Sequence, residues 1–395
     1  MSTLIALVFA GMAGVLAAPV QDTHAALLKA RDVANALEAV KANEAWVVDQ
    51  QISLCEIEAP PFKEQKRAEM YKAVFESLGL RNVRIDRAGN VLGERPGAGG
   101  GPHLVFSAHL DTVFPEGTNV KVTRQGPGGA VLKGPGIGDD CRGLAVVLGV
   151  IRALDDAQVS TPGTITFVGT VGEEGLGDLR GVKELFNGEL KGKIDRFVSV
   201  DGAGFGITHV AVGSLRYRVT FKGPGGHSYG AFGNANPIHA LGRAIDAISD
   251  FTVPASPKTT FNVGRVGGGT SVNSIAFEGW MEVDMRSVSP DALADLDARF
   301  RKAMAAAVAD ENARWNGRGA VSVDITLVGD RPAGRVPDDE PVVRAAVGVT
   351  RALGLPVSLE EGSTDANVPS NLRIAALTMD GRGRGRGAGS LEELW

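Results

Sequence analysis

Ser107-Ala108-His109-Leu110-Asp111-Thr112-Val113 is the stretch that decides how this chain reads. It continues an apolar run, Leu104-Val105-Phe106, with the character of a buried strand. Side chains on a strand alternate faces, so His109 and Asp111 leave its end on the same side. An imidazole with a carboxylate two residues on suits a metal ligand and the group that orients it. The triplet H-x-D says little alone. It gains weight because three further acidic motifs each follow another apolar strand or lead into an apolar helix.

The first of these is Gly134-Pro135-Gly136-Ile137-Gly138-Asp139-Asp140-Cys141-Arg142-Gly143, ahead of a helix expected over 144–154. An Asp before a helix ordinarily caps it. That role suits Asp140 and leaves Asp139 free to point elsewhere. Val171-Gly172-Glu173-Glu174-Gly175 follows a strand expected over 164–171. Two adjacent glutamates at a strand-end turn can approach one site with separate roles; a solvated acidic turn is the plainer alternative. Asp201-Gly202 follows a strand over 196–200 and on its own is an ordinary turn aspartate. In open α/β sheets, sites form outside the carboxyl ends of the strands. His109, Asp139, Glu174 and Asp201 can therefore converge. Carboxylates with imidazole suit Zn²⁺, Mn²⁺ or Co²⁺, and carboxylates crowded at one edge repel each other without a cation.

Composition sets outer limits. At 395 residues the chain can bury a large core and form two or three domains. Hydrophobic content of 44% and charged content of 22% are ordinary for a globular protein. A net charge of −5, from 41 basic and 46 acidic side chains, argues against nucleic acid or an anionic membrane surface as partner. The arginines of residues 381–387 (GRGRGRG) lack interleaved aromatics and a basic surround, so they do not change that reading. The 53 glycines imply many tight turns. Cys55 and Cys141 do not make a disulfide framework, and Cys141 reads as a small buried residue.

Residues 1–18 carry no charge, and 4–16 resemble a secretory apolar segment ending in small residues. A signal peptide over 1–17, cut after Ala17, is expected, although the basic leading segment is missing. The chain would then be periplasmic or secreted, and cytoplasmic if the leader is retained. An apolar helix packed on the body is the alternative. No later segment looks transmembrane, so no stable membrane association is expected.

Helical spacing runs through 22–58 and 63–80, then strands and helices alternate. The expected fold class is α/β, a mixed, mostly parallel sheet flanked by helices. From about Gly213 the order becomes β-α-β-β-α-β, with strands at 215–222, 260–266, 274–287 and 321–327 and helices at 237–249 and 289–309. That order fits an inserted ferredoxin-like unit. The expected domains are a first catalytic part at 18–212, a lid or dimerisation domain at 213–328, and a shortened second catalytic part at 329–395. The last holds a helix at 340–353, an acidic loop and a strand at 375–379.

The motifs S-A-H-L-D-T-V, G-I-G-D-D, G-E-E-G and G-G-H-S together resemble the M20 family of metallopeptidases and amidohydrolases, with likeness to peptidase T-like tripeptidases and carboxypeptidase G-like enzymes. The resemblance covers nearly everything from Asp22 on. It implies two metals, Zn²⁺ by expectation and Co²⁺ or Mn²⁺ as alternatives, about 3.5 Å apart and activating one water. Asp139 would bridge both ions, His109 and Asp201 would complete one site, and Glu174 would belong to the other. Asp111 would hold His109 through its ring nitrogen, and Glu173 would be the general base. A cis peptide between Asp139 and Asp140 is also implied. In the inserted domain His227, from Gly225-Gly226-His227-Ser228, would bind the oxyanion in a neighbouring subunit's site. Asn273 and Arg286 would hold substrate polar groups, Arg286 gripping a carboxylate. Read without the resemblance, His227 caps a loop and Arg286 pairs on the surface. Residues 362–367 (GSTDAN) resemble a loop lining the substrate pocket.

One departure stands out. Relatives carry a last metal ligand in a G-A-H-S-x-[DE]-E context, and here Gly389 stands where that His is expected. The second metal site would be weakened. The expected activity is hydrolysis of amide bonds in short peptides, of tripeptidase or dipeptidase type, by a homodimer joined through the lid. One alternative is an N-acyl-amino-acid amidohydrolase or deacetylase. The other is a catalytically impaired or truncated member acting as a binding protein.

Overall fold

The structure is a computed structural model and describes residues 20–395. The expected leader over 1–17 lies outside the described residues. Two compact units emerge: residues up to Ala211 together with Gly334–Trp395, and Val212–Ala333.

The first unit is built on a nine-stranded mixed sheet. Its strands lie in the order Arg81–Ile85, Val91–Arg95, Ile165–Thr170, Leu104–His109, Arg196–Val200, Ala375–Met379, Gly206–Ala211 and Gly334–Arg335, with Ser358–Gly362 pairing beside Gly206–Ala211. The middle strands, from Ile165–Thr170 to Ala375–Met379, run parallel. Leu104–His109 and Ile165–Thr170 are buried at every position. This is why they read as continuous apolar runs and not as alternating ones: helices cover both faces. The helix Cys141–Asp156 is buried almost all round and packs on Arg31–Ala42 and Glu44–Cys55. The parallel register aligns the strand ends. His109 lies beside Thr170, Ser107 beside Ser199, and Val200 beside Met379. The segments that leave after His109, Thr170 and Val200 therefore start from one rim.

The second unit has a four-stranded antiparallel sheet. Along the chain its strands are Gly213–Lys222, Thr259–Gly268, Glu278–Ser287 and Ser322–Arg331. Their spatial order is third chain position between first and second, with the fourth beside the first. With the helices Pro237–Ser249 and Pro290–Arg314 this is the ferredoxin-like arrangement. Alternation explains it: Tyr217, Val219 and Phe221 face Met281, Val283 and Met285, and both rows bury against Leu296, Phe300 and Met304 of the long helix. Ser289 caps that helix, its hydroxyl accepting from the Ala292 amide at 3.3 Å.

Three expectations change. The single helix over 22–58 is three helices, Val20–Lys29, Arg31–Ala42 and Glu44–Cys55. Ala30 adopts an extended ψ of 134° at the first break. Asn43 stands at the second and donates from its side chain to Asp156 of the buried helix at 2.7 Å. Tertiary packing, not a Gly or Pro, makes these breaks. The strand over 274–287 is two pieces, and Ser274–Ile275 pairs with Gly226–His227 instead of joining the main sheet. The acidic loop contains a strand, Ser358–Gly362, parallel to Gly206–Ala211. Among the described residues no helix is long and apolar enough to cross a membrane.

Candidate metal centre and active site

The rim of the first sheet gathers the motif residues. His109 ends its strand with a ring that is almost wholly buried. Its Nδ1 lies 2.9 Å from the main-chain carbonyl of Asp111. A carbonyl can only accept, so Nδ1 carries the proton and donates. The Nε2 atom is the nitrogen left for the site: it lies 3.0 Å from Oδ1 of Asp139, donating to it when the ring is doubly protonated and open to a cation when it is not. Asp201 approaches the same nitrogen at 3.7 Å. One ligand atom each from His109, Asp139 and Glu174 lie within 4.8 Å of one another.

Each ligand is aimed by its neighbours. Asp140 caps the helix Cys141–Asp156 through the Gly143 amide at 2.9 Å, and its other oxygen accepts from the His109 amide at 3.0 Å. A Cβ at position 143 would sit 2.2 Å from the Asp140 carboxylate, so only glycine allows this cap. The Asp139–Asp140 peptide is cis. Asp111 reaches His109 chiefly through its carbonyl; its carboxylate stands 3.7 Å from the ring. That carboxylate accepts instead from the Glu173 amide at 3.0 Å and the Glu174 amide at 2.8 Å. Asp111 thus couples the H-x-D turn to the G-E-E-G turn. Arg67, buried behind them, donates to the Leu110 carbonyl at 2.7 Å and to Ile57.

The electrostatics show what this crowding does. Burial and the charges of Asp139, Asp111 and Asp201 push Glu174 up to about 7, against the opposing pull of His109. Burial works to lower His109, but Asp111, Asp139 and Asp201 outweigh it and hold the ring well above its usual value. Burial alone would raise Asp111; the His109 ring and the two glutamate amides overcome it and keep the carboxyl low. In a chain without a cation, protons on Glu174 and His109 balance the cluster. A divalent cation supplies the same positive charge to the same atoms, so the donor set fits one. Asp365, under the rim, is raised to about 6 by burial while its carboxylate accepts from Thr170.

The sequence-expected residues fall into two groups. His109, Asp111, Asp139, Glu173, Glu174 and Asp201 meet at the rim of the first unit. His227, Asn273 and Arg286 belong to the second. There, the Nδ1 atom of His227 accepts from the amides of Tyr229 and Gly230, both at 3.3 Å. Its proton therefore sits on Nε2, leaving that N–H as a donor. Asn273 lies close by, its carbonyl accepting from the Ser228 amide at 2.9 Å. Arg286 donates from Nε to Asp284 at 2.7 Å, and Arg216 shares that carboxylate from the other side at 3.0 Å.

Gly389 has a left-handed φ of 74°, and a Cβ built there would meet only Val113, at 3.8 Å. Sequence reasoning missed Glu393. Its carboxylate accepts from the amides of Gly136, Gly138 and Asp139 at 3.1, 2.8 and 2.9 Å. The sequence sets Glu392 and Glu393 side by side, and nothing in that spacing tells a solvated acidic tail from a buried acceptor. In the segment 362–367, expected to line a pocket, Asp365 and Asn367 are buried: Asp365 accepts from the Thr170 hydroxyl and Asn367 from the Thr364 amide.

Comparison with known proteins agrees with this arrangement. Residues 105–393 match the model of peptidase family M20/M25/M40. An uncharacterised protein, YqjE of Bacillus subtilis, is 28% identical over 85% of this chain and 90% of its own length. Carboxypeptidase G2 of a Pseudomonas species is 27% identical over 75% of this chain and 71% of its own. A crystal structure of a tripeptidase from Staphylococcus aureus superposes with a TM-score of 0.72 at 24% identity, covering 89% of this chain and 93% of that one. The match to that family model makes the chain a hydrolytic enzyme of the metal-dependent peptidase and amidohydrolase class. The chain belongs to peptidase family M20/M25/M40.

Proposed function

We propose that this chain hydrolyses amide bonds in short peptides as an exopeptidase of tripeptidase or dipeptidase type, using Zn²⁺. The observation that carries the reading is the meeting of His109, Asp139 and Glu174 within 4.8 Å, with Glu173 on the adjoining residue. Similar solved structures include proteins named as a tripeptidase and a dipeptidase. His109, Asp139, Asp201 and Glu174 would hold the metal. A bound divalent cation would polarise the attacking water and the scissile carbonyl. Glu173 takes a proton from that water on its carboxylate and returns it to the departing amine. Asp111 fixes the Glu173 main chain and so keeps the base in reach of the water. In the second unit, the His227 Nε2–H suits an oxyanion, and Arg286 suits a substrate carboxylate once it exchanges Asp284 for it.

A specific observation favours a second reading. With Gly389 in place of a ligand, only Asp139 and Glu174 would hold the second ion, which fits an impaired member that binds peptides without turnover. One substrate panel separates these readings. Tripeptides, dipeptides and N-acetyl amino acids are incubated with Zn²⁺-loaded protein and with chelated protein. The proposal expects peptide cleavage that chelation abolishes and Zn²⁺ restores. Cleavage confined to N-acetyl amino acids would make the chain a deacylase, and no cleavage by loaded protein would favour the impaired reading.

A further inference from the structure

The carboxylate of Glu393 lies far along the chain from the G-I-G-D-D motif, yet it is the hub of that loop. Its Oε1 accepts from Gly138 and Asp139, and its Oε2 from Gly136. The main chain around it is paired as well. Gly134 donates to the Glu393 carbonyl at 3.1 Å, and Leu132 and Trp395 exchange amide hydrogen bonds at 2.7 and 2.9 Å. Glu393 itself is 2% exposed. A Cβ at Gly138 would stand 2.8 Å from Oε1, so glycine there is what lets the loop close over the carboxylate.

We propose that Glu393 is a positioning residue for Asp139, gathering the loop amides so that the Asp139 side chain leaves toward His109. The physical reason is directional. Fixing the Asp139 N–H fixes the peptide plane before its Cα and leaves the direction of the Cα–Cβ bond to rotation about the single N–Cα bond. Amide hydrogen bonds to a carboxylate are short and strong, and buried amides left without one are costly. Three amides on one carboxylate therefore hold the loop in one conformation. The far end of that conformation is the 3.0 Å approach of Asp139 Oδ1 to His109 Nε2. The tail that carries Gly389 in place of a ligand still acts on the centre, through Glu393. This inference rests on the metal reading above, but its structural half can be tested without metal.

The experiment compares wild type, Glu393→Ala, Glu393→Gln and Leu391→Ala as full-length chains. Zn²⁺ affinity is measured by calorimetric titration of chelated protein. Amide hydrogen exchange over 134–139 is measured on the metal-free form. Glu393→Ala is expected to weaken Zn²⁺ about 10–100-fold, the range for groups that orient a ligand, and to speed exchange across the loop. Glu393→Gln keeps one acceptor oxygen and falls between; it also carries the test if the alanine variant does not fold. Leu391→Ala truncates an exposed side chain of the same tail and leaves both readouts at wild-type values. Wild-type Zn²⁺ affinity or unchanged exchange in both Glu393 variants overturns the proposal. A wild-type chain that binds no Zn²⁺ defeats the metal reading alone, and the exchange data still decide whether Glu393 holds the loop.

Discussion

Nε2 of His109 stands 3.0 Å from Oδ1 of Asp139, although thirty residues separate them in the chain. The strand Leu104–His109 delivers one and a glycine-rich loop the other. Asp201 and Glu174 close the group from two further strand ends. The contact makes a metal-free centre dependent on protons, and that dependence has a sign.

Glu174 is raised from 4.5 to about 7 and His109 well above 6.5. A group with a raised folded-state value contributes stability that is present at low pH and lost as pH rises through that value. The chelated protein should therefore lose stability between about pH 4.5 and 7 through Glu174, and further as His109 loses its proton. A bound cation competes with the same protons. The gap in Tm between Zn²⁺-loaded and chelated protein should widen from pH 5 to pH 8 in thermal melts. A gap that is constant or narrows would count against this account of the cluster.

The two neighbouring glutamates should separate by experiment. Glu173→Ala is expected to lower kcat by about 100- to 10,000-fold, the usual worth of a general base, with metal content intact. Glu174→Ala should lose metal affinity. Metal analysis beside steady-state kinetics reads both. The reverse pattern would exchange their roles.

Much of this centre was legible in the sequence. Apolar strands followed by acidic turns, at 104–111, 164–174 and 196–201, are visible in one dimension because fully buried parallel strands leave no alternation to confuse them. The cap assignment of Asp140, which frees Asp139, also follows from local rules. Packing decides what was missed. Ala30 and Asn43 interrupt a helical pattern that contains no breaker. Ser358–Gly362 looks like an acidic loop because its side chains stay exposed while its main chain pairs with Gly206–Ala211. Glu393 meets amides more than 250 residues earlier in the chain, and no periodicity encodes such a contact.

Gly389 offers a gain-of-function test. The position is open apart from Val113, and His is among the side chains that tolerate a left-handed backbone. Gly389→His should tighten binding of a second Zn²⁺ by at least about 10-fold, on the scale of lost ligand support, and raise kcat/KM. Calorimetric titration and peptide hydrolysis check it. No change in either would show that position 389 does not approach the centre.

Arg67 supports the site from behind through the carbonyls of Leu110 and Ile57. Arg67→Met keeps the volume and leaves those buried carbonyls without donors. The expected loss is about 3 kcal/mol of unfolding free energy in urea melts, given hydrogen bonds to a charged donor. A loss below about 1 kcal/mol would mean that other donors replace it.

The most direct measurement is the number of cations held per chain. Wild type, His109→Ala and Asp139→Ala are dialysed against limiting Zn²⁺ and analysed by inductively coupled plasma mass spectrometry with protein quantitation. At least one Zn²⁺ per wild-type chain, with strong depletion in both variants, is the predicted result. A wild-type chain free of metal, or variants that retain it as wild type does, would contradict the claim that these residues form a metal centre.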